Sequence, residues 1–230
     1  MAHRQIGAIT TEDITDIIDK RTTFSTERPM LARTTELQRF IDVTHNAIAA
    51  RVDAGEPSEA ACKRIFKALE TCQAQHTPCR PELPPAWTHV HRALGASAAS
   101  PAAALADALA AIEPQLCWQR RPGAERVPGN FADGHANAII IGDGGLELRG
   151  DVRIGVSLLA PQVTYPDHCH PPEELYAVLS PGSWRQDARP WHEPGPGGVV
   201  YNRPNVVHAM RSANFPLLAV WCLCTGAHAA

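Results

Sequence analysis

Two imidazoles one residue apart, a carboxylate four residues on and a third imidazole far downstream stand out by type and spacing: His168, His170, Glu174 and His208. In an extended strand side chains alternate between faces, so His168 and His170 point the same way and Cys169 points away. After the Pro171-Pro172 bend, Glu174 and Tyr176 again share one face. Imidazole nitrogens and a carboxylate oxygen converging on one spot form a ligand set suited to Zn, Fe, Mn, Co or Ni. The expected cofactor is therefore one divalent transition metal, with His208 arriving from a distant strand to complete the set. A second pair at the same spacing, His89 and His91, lies between helical segments with no acid at ligand distance downstream, and is expected to be structural.

These residues resemble the two motifs of the cupin superfamily. The first has the form H-x-H-x(3,4)-E-x(6)-G; His168, His170 and Glu174 match it, and Gly182 comes one residue late. The second reads Gly198-Val-Val-Tyr-Asn-Arg-Pro204-Asn-Val-Val-His208, with the Gly-to-Pro interval kept. Asn205 stands where many cupins carry a turn glycine, and Gln162 where the first motif opens on one. Asn tolerates positive φ better than most residues. A narrower resemblance, over roughly residues 165–221, is to the cupin dimethylsulfoniopropionate lyases, carried by Glu174-Leu-Tyr176, Tyr165 and Pro204-Asn-Val-Val-His-Ala-Met210.

That resemblance implies a mainly β protein. A C-terminal double-stranded β-helix, the cupin jelly-roll barrel, would follow an N-terminal α-helical region, with the metal held by His168, His170, Glu174 and His208. It implies a metal-dependent carbon–sulfur lyase that cleaves dimethylsulfoniopropionate to dimethyl sulfide and acrylate by α-proton abstraction and β-elimination. Tyr176 would be the base, and Tyr165 would assist and position the substrate. The rival readings are a cupin enzyme acting on another small carboxylate, an iron oxygenase with the same ligands, and a non-catalytic cupin ligand sensor. An oxygenase consumes oxygen and a lyase does not; a sensor has no use for Tyr176.

The elements that must carry these residues are legible in part. Residues 1–117 read as helical and 118–230 as strands and turns. A capped start at Thr11 with Ile14, Ile17 and Ile18 gives a first helix. Leu37, Phe40, Ile41, Thr44 and Ile48 give a second over 34–52, closed by Gly55 and Pro57. Ser58 is placed to cap a third through Ile65, Phe66 and Leu69, and Ser100-Pro101 to open an Ala-rich fourth up to Ile112. Residues 78–85 form a proline-rich break. Short strands over 138–141, 152–159, 174–179, 198–201, 208–211 and 217–223, set off by Gly/Pro turns, indicate a sandwich or barrel. The helices are expected to bury their stripes on that barrel or on a second copy of the chain in a homodimer.

Tyr176 can either pack its ring in the barrel or, beside a dication, act as a base, since a nearby positive charge lowers a phenol pKa that starts at ~10. Tyr165, Trp184, Tyr201 and Trp221 are candidates to line a substrate site, where aromatic faces attract a desolvated cation by about 0.5–2 kcal/mol each. A net charge of -3 gives no case for nucleic acid or an anionic membrane, and no apolar run is long enough to span a bilayer. The expected partner is a small zwitterionic or carboxylate substrate. Seven irregularly spaced cysteines without a C-x-x-C pair, and an N-terminus lacking an apolar signal core, point to reduced thiols in the cytoplasm.

Overall fold

The computed structural model describes residues 32–75 and 82–226; the helix start expected at Thr11 lies outside them, as does the first half of the proline-rich break. Helix α1 (Thr35–Ala49) begins where Thr34 accepts a hydrogen bond from the Leu37 N–H at 3.2 Å. It buries the expected stripe of Leu37, Phe40, Ile41, Thr44 and Ile48. Helix α2 (Pro57–Ala68) starts one residue before Ser58, with Pro57 in its first turn, so Ser58 lies inside the helix and does not cap it. A proline there costs nothing, because its missing N–H would have no intrahelical partner. Helix α3 (Val90–Ala96) follows a 3-10 turn (Pro85–His89). Helix α4 (Ala103–Ile112) begins later than Ser100-Pro101 suggested; Ser100 Oγ instead accepts from the Ala102 N–H at 3.1 Å within the preceding turn.

After a one-turn helix α5 (Phe131–Gly134) the described residues form eight strands: β1 (His135–Ile141), β2 (Val152–Leu159), β3 (Thr164–His168), β4 (Glu174–Val178), β5 (Ser183–Gln186), β6 (Val199–Asn202), β7 (His208–Arg211) and β8 (Leu217–Cys224). They make a five-stranded sheet in the order β1-β2-β8-β4-β6 and a three-stranded sheet in the order β3-β7-β5, every pair antiparallel. Early and late strands interleave in both sheets, which is the wiring of a double-stranded β-helix.

The five-stranded sheet is buried on both faces, and strand parity divides them. On β8, Leu218, Val220, Cys222 and Cys224 join α1–α4 in one apolar cluster, while Leu217, Ala219 and Trp221 point between the sheets. On β4, Leu175 and Ala177 face the helices and Tyr176 and Val178 face the barrel interior. This double burial explains why β8 reads as an unbroken apolar run. It also puts the helices on the outer face, away from the barrel interior.

Two buried polar groups tie the layers together. Glu147, fully buried, receives Arg33 at 2.5 Å and Arg149 at 3.0 Å. Arg149 also donates to Ala68 O at 2.7 Å, the last carbonyl of α2, and to Thr71 O at 2.6 Å in the segment that follows the helix. Arg64 of α2 pairs with Glu173, which also accepts from the Tyr201 hydroxyl at 2.9 Å.

The expectation of seven reduced thiols needs correction. Cys117 is disulfide-bonded, while Cys62, Cys72, Cys169, Cys222 and Cys224 are free thiols. Sequence spacing cannot reveal such a bond, because pairing requires only that two Cα atoms come within about 4.4–6.8 Å in space.

Candidate metal centre

His168 ends β3 directly opposite His208 on β7, so cross-strand pairing sets their rings 4.1 Å apart. Strand alternation stops there. His170 lies in the turn after β3 and reaches the same point with its ring 5.1 Å from that of His208. Asn205 fastens this turn by donating its N–H to His170 O at 3.0 Å. The three imidazoles each offer a ligand atom within 4.8 Å of the others. Glu174, at the start of β4, brings Oε2 to 3.4 Å from His170 Nε2 and 3.3 Å from His208 Nε2.

The backbone fixes which nitrogen faces inward. His168 Nδ1 lies 2.9 Å from Pro166 O, His170 Nδ1 2.8 Å from Pro172 O and His208 Nδ1 3.0 Å from Val206 O. A carbonyl only accepts, so each Nδ1 carries the proton and each neutral ring presents a bare Nε2. Such an outer hydrogen bond is what orients a histidine on a metal. His208 Nε2 is buried and makes no hydrogen bond, although a carboxylate oxygen faces it. Two lone pairs set against each other call for a proton or a cation between them, and three imidazoles with a carboxylate fit a divalent transition metal.

Electrostatics agree with that donor set. Burial, and then the neighbouring His208, depress His168 to about 4, leaving it neutral and free to ligate. Burial works to raise the Glu174 carboxyl, but the adjacent His170 and His208 outweigh it and hold it at about 2. His170 is raised: burial opposes its charge, and the bond to Glu174 more than compensates.

Beside the ligands lies a cavity of about 210 Å³, lined by all of them except His208 and by Tyr165, Tyr176 and Trp221. Tyr176 is nearly fully buried, with its ring 6.1 Å from that of Trp184. Burial first, then Glu174, push its phenol well above the usual value of 10. Tyr165 is also raised, chiefly by burial, and packs its ring 4.7 Å from His168. Gly155, opposite Trp221 in the β2–β8 register, leaves room for that indole; a Cβ there would lie 2.2 Å from Trp221 Cζ2.

Other candidates fall elsewhere. Tyr201 does not line the cavity, because its position on β6 faces the helical side, where its hydroxyl bonds Glu173. Trp184 is not in the lining either; it is buried in the apolar cluster between the sheets. Cys169 lies beyond the end of β3, so strand parity does not apply to it, and it lines the cavity instead of pointing away. His89 and His91 lie in the 3-10 turn and α3, His91 set edge-on to Trp87. Arg121, Asn137 and Ser157 complete the cavity and carried no motif. Only the alternation of β1 and β2, which points Asn137 and its partner Ser157 the same way, could have found the last two. A larger hollow, about 600 Å³ between α1 and α2, contains none of the metal-ligand set.

The sequence model of the dimethylsulfoniopropionate lyase family matches residues 57–219. The chain is 30% identical over 134 residues to a putative dimethylsulfoniopropionate lyase, DddL, of Cereibacter sphaeroides, covering 58% of this chain and 56% of that protein. It is 29% identical over 119 residues to the dimethylsulfoniopropionate lyase DddQ of Ruegeria pomeroyi, covering 51% and 59%. These matches thus span somewhat over half the length of the curated relatives. Among solved structures, that of DddQ from Ruegeria pomeroyi superposes with a TM-score of 0.65 at 23% identity, covering 86% of this chain and 95% of that one. A structure described with the lyases RdDddP and RnDddQII gives a TM-score of 0.58 at 22% identity, covering 84% and 93%. At such identity the structural likeness shows the shared fold.

Proposed function

The chain belongs to the dimethylsulfoniopropionate lyase family, and we propose that it is a metal-dependent carbon–sulfur lyase converting dimethylsulfoniopropionate to dimethyl sulfide and acrylate. The observation that carries this reading is the convergence of three imidazoles and Glu174 beside a cavity that also holds a buried phenol, Tyr176. His168, His170, Glu174 and His208 would hold the metal, whose Lewis acidity at the substrate carboxylate would make the α-proton easier to remove.

Tyr176 takes that proton on its phenolic oxygen. The C–H electron pair forms the new carbon–carbon double bond, and the carbon–sulfur bond breaks with its electrons leaving on sulfur. Dimethyl sulfide departs neutral, so no acid is needed for the leaving group, and the proton passes from Tyr176 to solvent. Burial alone keeps the phenol protonated, so the base role depends on positive charge at the ligand set to favour phenolate. Tyr165 and Trp221 wall the cavity, where they would hold the substrate.

A homodimer and a cytoplasmic location complete the proposal, to be tested by sedimentation and fractionation. Among the described residues no helix is long and apolar enough to cross a membrane. The functional test is direct. Metal-loaded protein is incubated with dimethylsulfoniopropionate while dimethyl sulfide and acrylate are quantified. Equal yields of the two support the lyase; neither product from fully loaded, folded protein refutes it.

A further inference from the structure

The cavity wall carries a cation that the proposed reaction has not used. Arg121 is half-buried and lines the 210 Å³ cavity, and it also lines an outer hollow of about 350 Å³ formed with Pro122, Phe131, Pro166 and Asp167. Its guanidinium lies 5.4 Å from the centre of the Tyr165 ring. Asn137 lines the same cavity.

Among the described residues Arg121 forms no ion pair, and each carboxylate near it is engaged elsewhere. Asp133 holds Arg120 at 2.7 Å, Asp167 holds Arg185 at 2.6 and 2.7 Å, and Glu174 faces His170 and His208. A half-buried guanidinium without a counter-charge is costly unless an anion reaches it.

The position is built and braced. The Arg121 N–H donates to His135 Nε2 at 2.7 Å, and His135 passes its own Nδ1–H to Phe131 O at 2.6 Å. The His135 ring is stacked on Phe131 at 4.0 Å and stands edge-on to Tyr165 at 6.0 Å. A neutral buried imidazole thereby fixes both the backbone of Arg121 and the aromatic ring its side chain overlies.

We propose that Arg121 is the anion anchor of this cavity, recognising the carboxylate of a small substrate and orienting a zwitterion with its cationic end away from the guanidinium, toward Trp221. The planar fork of donors suits a carboxylate, and the same positive charge repels a sulfonium placed the wrong way round. This inference rests on the lyase reading for its substrate, but not for its test.

Metal-loaded wild type, Arg121→Gln and Arg121→Lys are titrated calorimetrically with propionate and with propionamide, its neutral isostere, and metal content is measured on each. Wild type is expected to prefer propionate. Arg121→Gln should lose about tenfold or more in propionate affinity, the loss of a charge-assisted hydrogen bond, with propionamide binding and metal content unchanged. Arg121→Lys should recover part of the loss. Propionate binding in Arg121→Gln within about twofold of wild type, or no preference for the anion in wild type, overturns the proposal. If wild type fails to eliminate dimethylsulfoniopropionate yet Arg121→Gln still loses propionate, the lyase reading falls and the anchor stands. If wild type eliminates and Arg121→Gln keeps its carboxylate affinity, the reverse holds.

Discussion

Replacing Tyr176 with Phe separates the chemistry at this site from its architecture. The ring is buried between the sheets against Trp184, and Phe keeps every one of those contacts. What disappears is one hydroxyl beside Glu174, a group whose burial is itself unfavourable, so the stability change should stay within about 1 kcal/mol. None of the four proposed ligand side chains is touched, so metal content should match wild type. The rate should not. Loss of a general base typically costs ~10²–10⁴-fold, or about 2.7–5.4 kcal/mol of transition-state stabilisation. Affinity for the substrate carboxylate should weaken far less, because the hydroxyl meets the proton and not the carboxylate. Melting temperature, bound metal, propionate affinity and initial rate of dimethyl sulfide release, taken on one preparation, form the assay. A folded, fully metallated Tyr176→Phe protein that eliminates at near wild-type rate would refute the argument and move the base to Tyr165, the other phenol in the cavity.

Removing either His170 or His208 by substitution with Ala takes away one of the proposed ligands, and elemental analysis of the folded variants should show a sharp fall in bound metal; full occupancy in both would dismantle the ligand set. Metal affinity should also decline on acidification. His170 is raised above 6.5, so in the metal-free protein its protonated form contributes stability that is present below that value and lost as pH rises through the raised one. A metal must displace that proton, so competition against a chromophoric chelator at about pH 8 and about pH 6 should favour the chelator at the lower pH, and equal partition at both would contradict it. Gly155→Ala would drive a Cβ to 2.2 Å from Trp221 Cζ2 and 2.6 Å from Ala138 O. It should cost about 1–3 kcal/mol and disturb the cavity wall, and an unchanged melting temperature would show that Trp221 moves aside freely.

Residue spacing alone picked out His168, His170 and Glu174, which the fold gathers with His208, because an H-x-H pair followed by a carboxylate is a local pattern, and apolar periodicity alone picked out the buried stripe of α1. Asn205 was legible too, since a turn there favours positive φ and the residue adopts 57°. Gln162 takes φ 63° without that advantage, held by the fold in a conformation its own side chain does not favour. What the sequence could not supply was which face each aromatic would take once the sheet was buried on both sides. Tyr201 and Tyr176 look alike as tyrosines on short strands, yet the register of β6 and β4 sends one to Glu173 on the helical side and the other into the cavity. Cys169 escaped strand parity because β3 ends one residue earlier, and Cys117 entered a disulfide that spacing did not announce. Arg121, Asn137 and Ser157 reach the site from segments far from either motif, brought there by the pairing of β1 with β2 and by the bond from Arg121 to His135. Ligands close in the chain are fixed by local backbone geometry, whereas the walls of the cavity are fixed by long-range strand pairing and by which face of the sheet the helices cover.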